Sequence, residues 1–79
     1  MTVDELLQPI LNVTAPLRMN DSRDTIPTWD SLAQINIVAA IEDAVGVELS
    51  TAEVLSLRSV AKVLEVSRAH GLELTLAAG

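Results

Sequence analysis

Apolar residues recur at helical spacing in several stretches of this chain and lose that spacing between them. Leu6, Leu7, Ile10 and Leu11 follow Thr2 and Glu5, whose separation is that of a capping box. The spacing predicts a first helix over residues 3–13. Pro9 falls inside it, lacks an N–H and crowds the carbonyl four residues back, so a kink or a short helix is expected. From Thr14 to Asp30 the pattern dissolves into Pro16, Asn20, Asp21, Ser22, Asp24, Pro27 and Thr28, all turn or breaker residues. A loop this long in so small a domain is expected to be functional or packed as its own unit.

Periodicity returns at Ser31. Asp30 precedes it and is able to cap a helix through its carboxylate, and Gly46 supplies the stop, so the second helix is predicted over 31–45. Ser50 and Glu53 form another capping box that opens a short helix over 51–55. Val60, Val63, Leu64 and Ser67 mark one side of a last helix over 59–70, ended by Gly71. The tail 72–79 alternates Leu72, Leu74 and Leu76 and is expected to be a loose terminus. No internal repeat or interdomain linker is present. The fold class is all-α: one domain over 1–79, a small right-turning bundle of three main helices and one short one, with a long loop between helices one and two.

The second helix carries two apolar faces. At about 100° per residue, Gln34, Ile37, Val38, Ile41 and Val45 fall on one side, which is the face for the core. Leu32, Ile35 and Ala39 fall nearly opposite, bordered by Asn36, Glu42 and Asp43. A helix on a small bundle needs one buried face, so the second stripe reads as a docking surface. The competing reading tucks Leu32 and Ile35 under the long loop.

Composition narrows the classes. The 79 residues are 49 % hydrophobic yet include one Trp and no Phe or Tyr, so the interior must be aliphatic. The net charge of −6 repels phosphate backbones and anionic membranes and favours basic partners. No basic patch with interleaved aromatics argues for nucleic acid. The absence of cysteine excludes disulfides, thiolate catalysis and zinc–thiolate sites. No apolar run reaches the length of a membrane span, and Met1-Thr2-Val3-Asp4-Glu5 is too acidic and polar for a signal peptide, so the expected compartment is the cytoplasm. In that compartment the sequons Asn12-Val13-Thr14 and Asn20-Asp21-Ser22 have no weight. Asp21 and Asp24 miss the calcium-loop ligand pattern and its required Gly, and a solvated loop is the simpler reading.

Ser31 is the candidate for chemistry. With Asp30 as cap, Ser31 takes the first helical position and points its hydroxyl outward, where the local N–H groups and the helix dipole favour an attached anion. The alternative makes Ser31 itself the cap, with Gln34 closing an S-x-x-Q box. A hydrolase would need a base and an oxyanion hole. The sole histidine, His70, sits at the end of the last helix and reads as a polar surface residue, and Thr28-Trp29-Asp30-Ser31-Leu32 is no nucleophile elbow. Glu42 and Asp43 are adjacent, so they splay apart on a helix and make a poor acid–base pair. No phosphate-binding loop, dinucleotide fingerprint or metal-ligand cluster appears.

The stretch Trp29-Asp30-Ser31-Leu32, followed by Ile35, Ile37, Val38, Ile41, Glu42-Asp43 and Gly46-Val47-Glu48-Leu49, resembles the acyl carrier protein family, whose hallmark is Asp-Ser-Leu at the start of the second helix. The resemblance continues through Ser50–Leu55 and Ser59-Val60 and spans residues 3–71. It implies a non-catalytic carrier on which a separate phosphopantetheinyl transferase, using coenzyme A and magnesium, attaches 4′-phosphopantetheine to Ser31. The thiol of the arm then carries an acyl group as a thioester. It implies as partners a loading enzyme, acyl- or aminoacyl-specific, and a ketosynthase or other biosynthetic enzymes. The partner contacts it implies fall on Leu32, Glu42 and Asp43; with Ile35 and Ala39 of the apolar stripe and with Asp30 they make up the expected partner surface.

Ala33 and Asn36 stand where carriers of fatty acid synthesis often have carboxylates. The Trp-Asp-Ser-Leu form is more similar to discrete carriers of polyketide pathways, with a peptidyl carrier of nonribosomal synthesis as the alternative. An unmodified helical adaptor working through Leu32, Ile35 and Ala39 is the alternative from another class. A free-standing, monomeric chain is expected. Trp29 either touches the arm or partners, or anchors the loop on the bundle, and the anchor is the simpler role.

Overall fold

In a computed structural model that describes residues 1–76, the chain forms four helices: α1 (Val3–Leu11), α2 (Ser31–Val45), α3 (Thr51–Ser56) and α4 (Val60–Ala69). Among the described residues no strand is present, only two isolated bridges. The principal extents are 29 × 25 × 19 Å, so this is a small, compact all-helical domain.

Each helix starts on a side-chain cap. Thr2 caps α1 and Ser50 caps α3, each in a full capping box with Glu5 and Glu53 respectively. Asp30 and Ser59 accept the N–H of Ala33 and Lys62 at the starts of α2 and α4. Each cap satisfies a donor that the first turn of a helix leaves without a partner. α2 closes at Gly46, whose φ of 77° places it in the left-handed region, where a side chain would be strained.

α1 is shorter than the 3–13 predicted. It passes through Pro9, which is exposed, and stops at Leu11. Asn12 adopts a left-handed conformation (φ 55°), and its N–H and that of Val13 both return to the carbonyl of Gln8. This local turn ends the helix before Val13.

One aliphatic core runs through the bundle. α1 supplies Val3, Leu7 and Leu11 and packs on α2, which supplies Ala33, Ile37 and Ile41. α4 supplies Val60, Val63 and Val66, with Leu64 only partly buried. The long loop adds Leu17, Ile26 and Trp29. It is not a solvated excursion. The carboxylate of Asp4 accepts the N–H of Leu17 at 2.8 Å, and Gln8 Nε2 donates to the carbonyls of Thr14 and Ala15. Farther along, Ser22 bridges antiparallel to Ser59, with Arg23 N–H to Arg58 carbonyl at 3.1 Å and Val60 N–H to Asp21 carbonyl at 3.0 Å.

The expectation of a loose tail is corrected over 72–76. Gly71 turns the chain with φ 84°, Leu72 N–H returns to the Ser67 carbonyl at 2.8 Å, and Thr75 bridges parallel to Thr2. Val3 N–H donates to the Thr75 carbonyl at 2.8 Å, and Leu74 is buried. The alternation of Leu72, Leu74 and Leu76 is thus the signature of an extended segment laid along the N-terminus. The rest of the predicted tail, 77–79, lies outside the described residues.

Candidate functional site

Ser31 is the first residue of α2 and is exposed to solvent. The residue before it makes this possible. Asp30 has extended backbone (φ −97°, ψ −171°), and its Oδ1 accepts the Ala33 N–H at 2.9 Å. The cap is therefore Asp30 and not Ser31, so the serine hydroxyl has no capping duty. The first four amides of a helix lack intrahelical partners, and the Asp30 cap takes that of Ala33. Within α2 the amides of Ser31 and Leu32 remain, and the positive end of the helix dipole adds to them.

The junction that presents Ser31 is fixed from behind. Trp29 is 2 % exposed, and its Nε1 donates to Gln34 Oε1 at 2.9 Å. Arg23 Nε donates to the Trp29 carbonyl at 3.3 Å. Trp29 thus anchors the long loop to α2. Gln34, placed by periodicity on the core side of α2, closes no capping box with Ser31. Its Nε2 donates instead to the Val54 carbonyl of α3 at 3.3 Å. Sequence reasoning missed this tie, although a glutamine amid apolar core positions is the signal from which it could have been read.

The apolar stripe of α2 faces solvent. Leu32 and Ile35 are 67 % and 65 % exposed, and Ala39 is exposed beside them, so the long loop does not cover them. Leu55 of α3 is exposed to a similar degree. Ala33 behaves differently from its neighbours: it is buried, and its N–H takes the cap.

Two of the carboxylates placed on the partner surface have structural duties. Asp30 is the cap of α2. Glu42 is half-buried, and its Oε2 accepts the N–H of Leu49 at 2.8 Å, which tethers the α2–α3 connection. Asp43 is exposed and, with Glu42, Gly46, Val47 and Glu48, lines a shallow cleft at the C-terminal end of α2. Charge is segregated along the chain. Residues 24–57 hold Asp24, Asp30, Glu42, Asp43, Glu48 and Glu53 and no Lys or Arg. The basic residues Arg18, Arg23, Arg58, Lys62 and Arg68 all lie outside that stretch.

His70 is more than a surface group. Its Nε2 lies 2.7 Å from Glu53 Oε2, with both side chains about three-quarters buried, so it joins the end of α4 to the start of α3. The Ser50 backbone N–H, and after it the His70 ring, hold the Glu53 carboxyl below its usual range. Glu5 is lowered likewise, chiefly by the Thr2 backbone N–H.

Asp21 uses both oxygens inside its own turn, accepting from the Arg18 N–H and the Thr25 hydroxyl. Among the described residues no group of three or more metal-ligating side chains forms, and no helix is long and apolar enough to cross a membrane. Comparison of the chain with protein-family models, with curated proteins and with solved structures returns no match.

Proposed function

We propose that this chain is an acyl carrier protein whose Ser31 hydroxyl receives a 4′-phosphopantetheine arm from a separate transferase. The observation that carries the reading is the placement of Ser31: exposed, at the first position of α2, with Asp30 relieving it of capping. A phosphodiester there would meet the free amides and the positive end of the helix dipole. The Asp-Ser-Leu hallmark and the order of helices around a long first loop support the same reading.

In this reading the protein performs no chemistry of its own. The arm holds the acyl intermediate as a thioester and raises its local concentration at successive enzymes. The exposed Leu32–Ile35–Ala39 stripe and the exposed Asp43 offer an apolar centre with an acidic margin, which suits partners with basic rims. The Trp-Asp-Ser-Leu form, with Ala33 and Asn36 in place of carboxylates, favours polyketide or related specialised biosynthesis over fatty acid synthesis. A peptidyl carrier uses the same attachment. The proposed partners are the transferase, a loading enzyme and a ketosynthase, and the proposed compartment is the cytoplasm.

The test is incubation with coenzyme A, magnesium and a permissive transferase, followed by intact-mass measurement. The expected result is a gain of one phosphopantetheinyl group that disappears in Ser31→Ala. No gain, or a gain that survives in Ser31→Ala, rejects the assignment. A second reading, an unmodified adaptor, is favoured by the exposure of Leu32 and Ile35. It requires that Ser31→Ala retain function while Leu32→Asp abolishes it.

A further inference from the structure

Among the four helices, α3 alone has no buried residue. At six residues it is too short to persist without tertiary contacts. Its flanks are held by buried Leu49 and Leu57, and Val54 is partly buried. Two polar contacts grip the helix itself. His70 holds Glu53 from the end of α4, and Gln34 Nε2 holds the Val54 carbonyl from α2.

Gln34 uses both halves of one amide. While Nε2 donates to Val54, Oε1 accepts the Trp29 indole N–H at 2.9 Å. An indole N–H only donates and a carbonyl only accepts, so a single orientation of the amide satisfies both. Turning it over would set N–H against N–H and oxygen against oxygen. Ser31 lies between these partners in the chain, two residues after Trp29 and three before Gln34.

We infer that Gln34 is a positioning residue that couples the seating of α3 to the junction carrying Ser31. When α3 lifts, the amide loses the acceptor that fixes its rotation, and the carbonyl bound by Trp29 is no longer held in place. Trp29 is the buried anchor of that junction, so the change reaches the segment 29–31 through one side chain. Leu55 projects from α3 with 68 % exposure, which gives a partner a direct grip on the helix. The consequence for an attached arm rests on the proposed function. The coupling does not.

The experiment uses the unmodified full chain. Trp29 is the sole tryptophan, so its indole N–H is a single resonance whose hydrogen exchange is readable by NMR. Ala52 on α3 is exposed, and Ala52→Gly weakens that helix without touching Gln34. The glycine penalty in a helix corresponds to an about fivefold larger open population. The Val54 and Leu57 amides and the Trp29 indole are expected to exchange faster together, by about that factor. In Gln34→Met, which keeps the length and removes the amide, Ala52→Gly is expected to accelerate the α3 amides and leave the indole unchanged.

An indole that ignores Ala52→Gly in the wild-type background overturns the inference, as does an equal response in Gln34→Met. Should Gln34→Met fail to fold, Gln34→Glu replaces it. That side chain still accepts from Trp29 but sets an oxygen against the Val54 carbonyl, so an indole still coupled to α3 there overturns the inference equally. No arm is needed, so this failure leaves the carrier reading untouched, and failure to load Ser31 leaves the coupling untouched.

Discussion

Asp4, in the first turn of α1, accepts the backbone N–H of Leu17 at 2.8 Å, across a sequence separation of thirteen. Asp4 is only 8 % exposed and Leu17 is fully packed in the core. This charge-assisted bond fixes where the long loop enters the bundle. Asp4→Ala is expected to destabilise the fold by about 2 kcal/mol, since a buried N–H loses its partner. In a domain of this size that lowers the melting temperature by roughly 8–16 °C. Asp4→Asn keeps an acceptor and should cost about half as much. Thermal unfolding followed by circular dichroism decides it, and an unchanged midpoint for Asp4→Ala would refute the assignment.

Glu42 and Asp43 are neighbours with different duties. Glu42 tethers Leu49, whereas Asp43 is exposed. Glu42→Ala is therefore expected to cost about 1–2 kcal/mol, and Asp43→Ala less than about 0.5 kcal/mol. Chemical denaturation of both variants measures this. Equal midpoints would show that the Leu49 contact contributes nothing. A partner-binding scan of this face should rely on Asp43, because a loss on mutating Glu42 mixes binding with stability.

Acid should loosen α3 before α2. Glu53 has its folded-state pKa lowered from an ordinary 4.5 by the Ser50 N–H and then by His70. A depressed carboxyl contributes stability that is complete above its unfolded value and is lost as pH falls through its folded value. The contribution is thus fully present above about pH 4.5 and fades below it. Glu5 acts with the same sign at α1. Protection factors of the Val54 and Leu57 amides, which correct for the intrinsic slowing of exchange in acid, should fall from pH 5 to pH 3 by more than that of Ile37 in α2. In Glu53→Gln that extra acid sensitivity should be gone, and its persistence would assign it to another group.

Ser67 sits at 0 % exposure on the core face of α4, and its hydroxyl has no hydrogen-bond partner among the described residues. A buried hydroxyl without a partner carries a desolvation cost of about 1–3 kcal/mol. Ser67→Ala should remove that cost and lose little packing, raising stability by about 1 kcal/mol. Denaturant titration tests it, and a clear destabilisation would mean that the hydroxyl is satisfied in solution.

The local features of this protein follow from neighbouring residues alone. Capping boxes at Thr2 and Ser50, the stop at Gly46 and the apolar spacing of α2 act within a few residues, so helix positions were readable from the string, whereas the choice of Asp30 over Ser31 as the cap of α2, and the cap at Ser59, came with the structure. Segments without periodicity were less legible. The buried places of Leu17 and Ile26, and the docking of Leu74 and Thr75 along Met1–Val3, depend on partners far away in sequence, and no local pattern encodes them. The same limit applied to polar side chains. Whether Glu42, Gln34, Asp4 or His70 faces water or a backbone group is decided only once the helices converge, because one hydrogen bond between distant residues outweighs any single-residue preference. Tertiary structure therefore decided which carboxylates are free for a partner, and which side chains tie Trp29, α2 and α3 together behind Ser31.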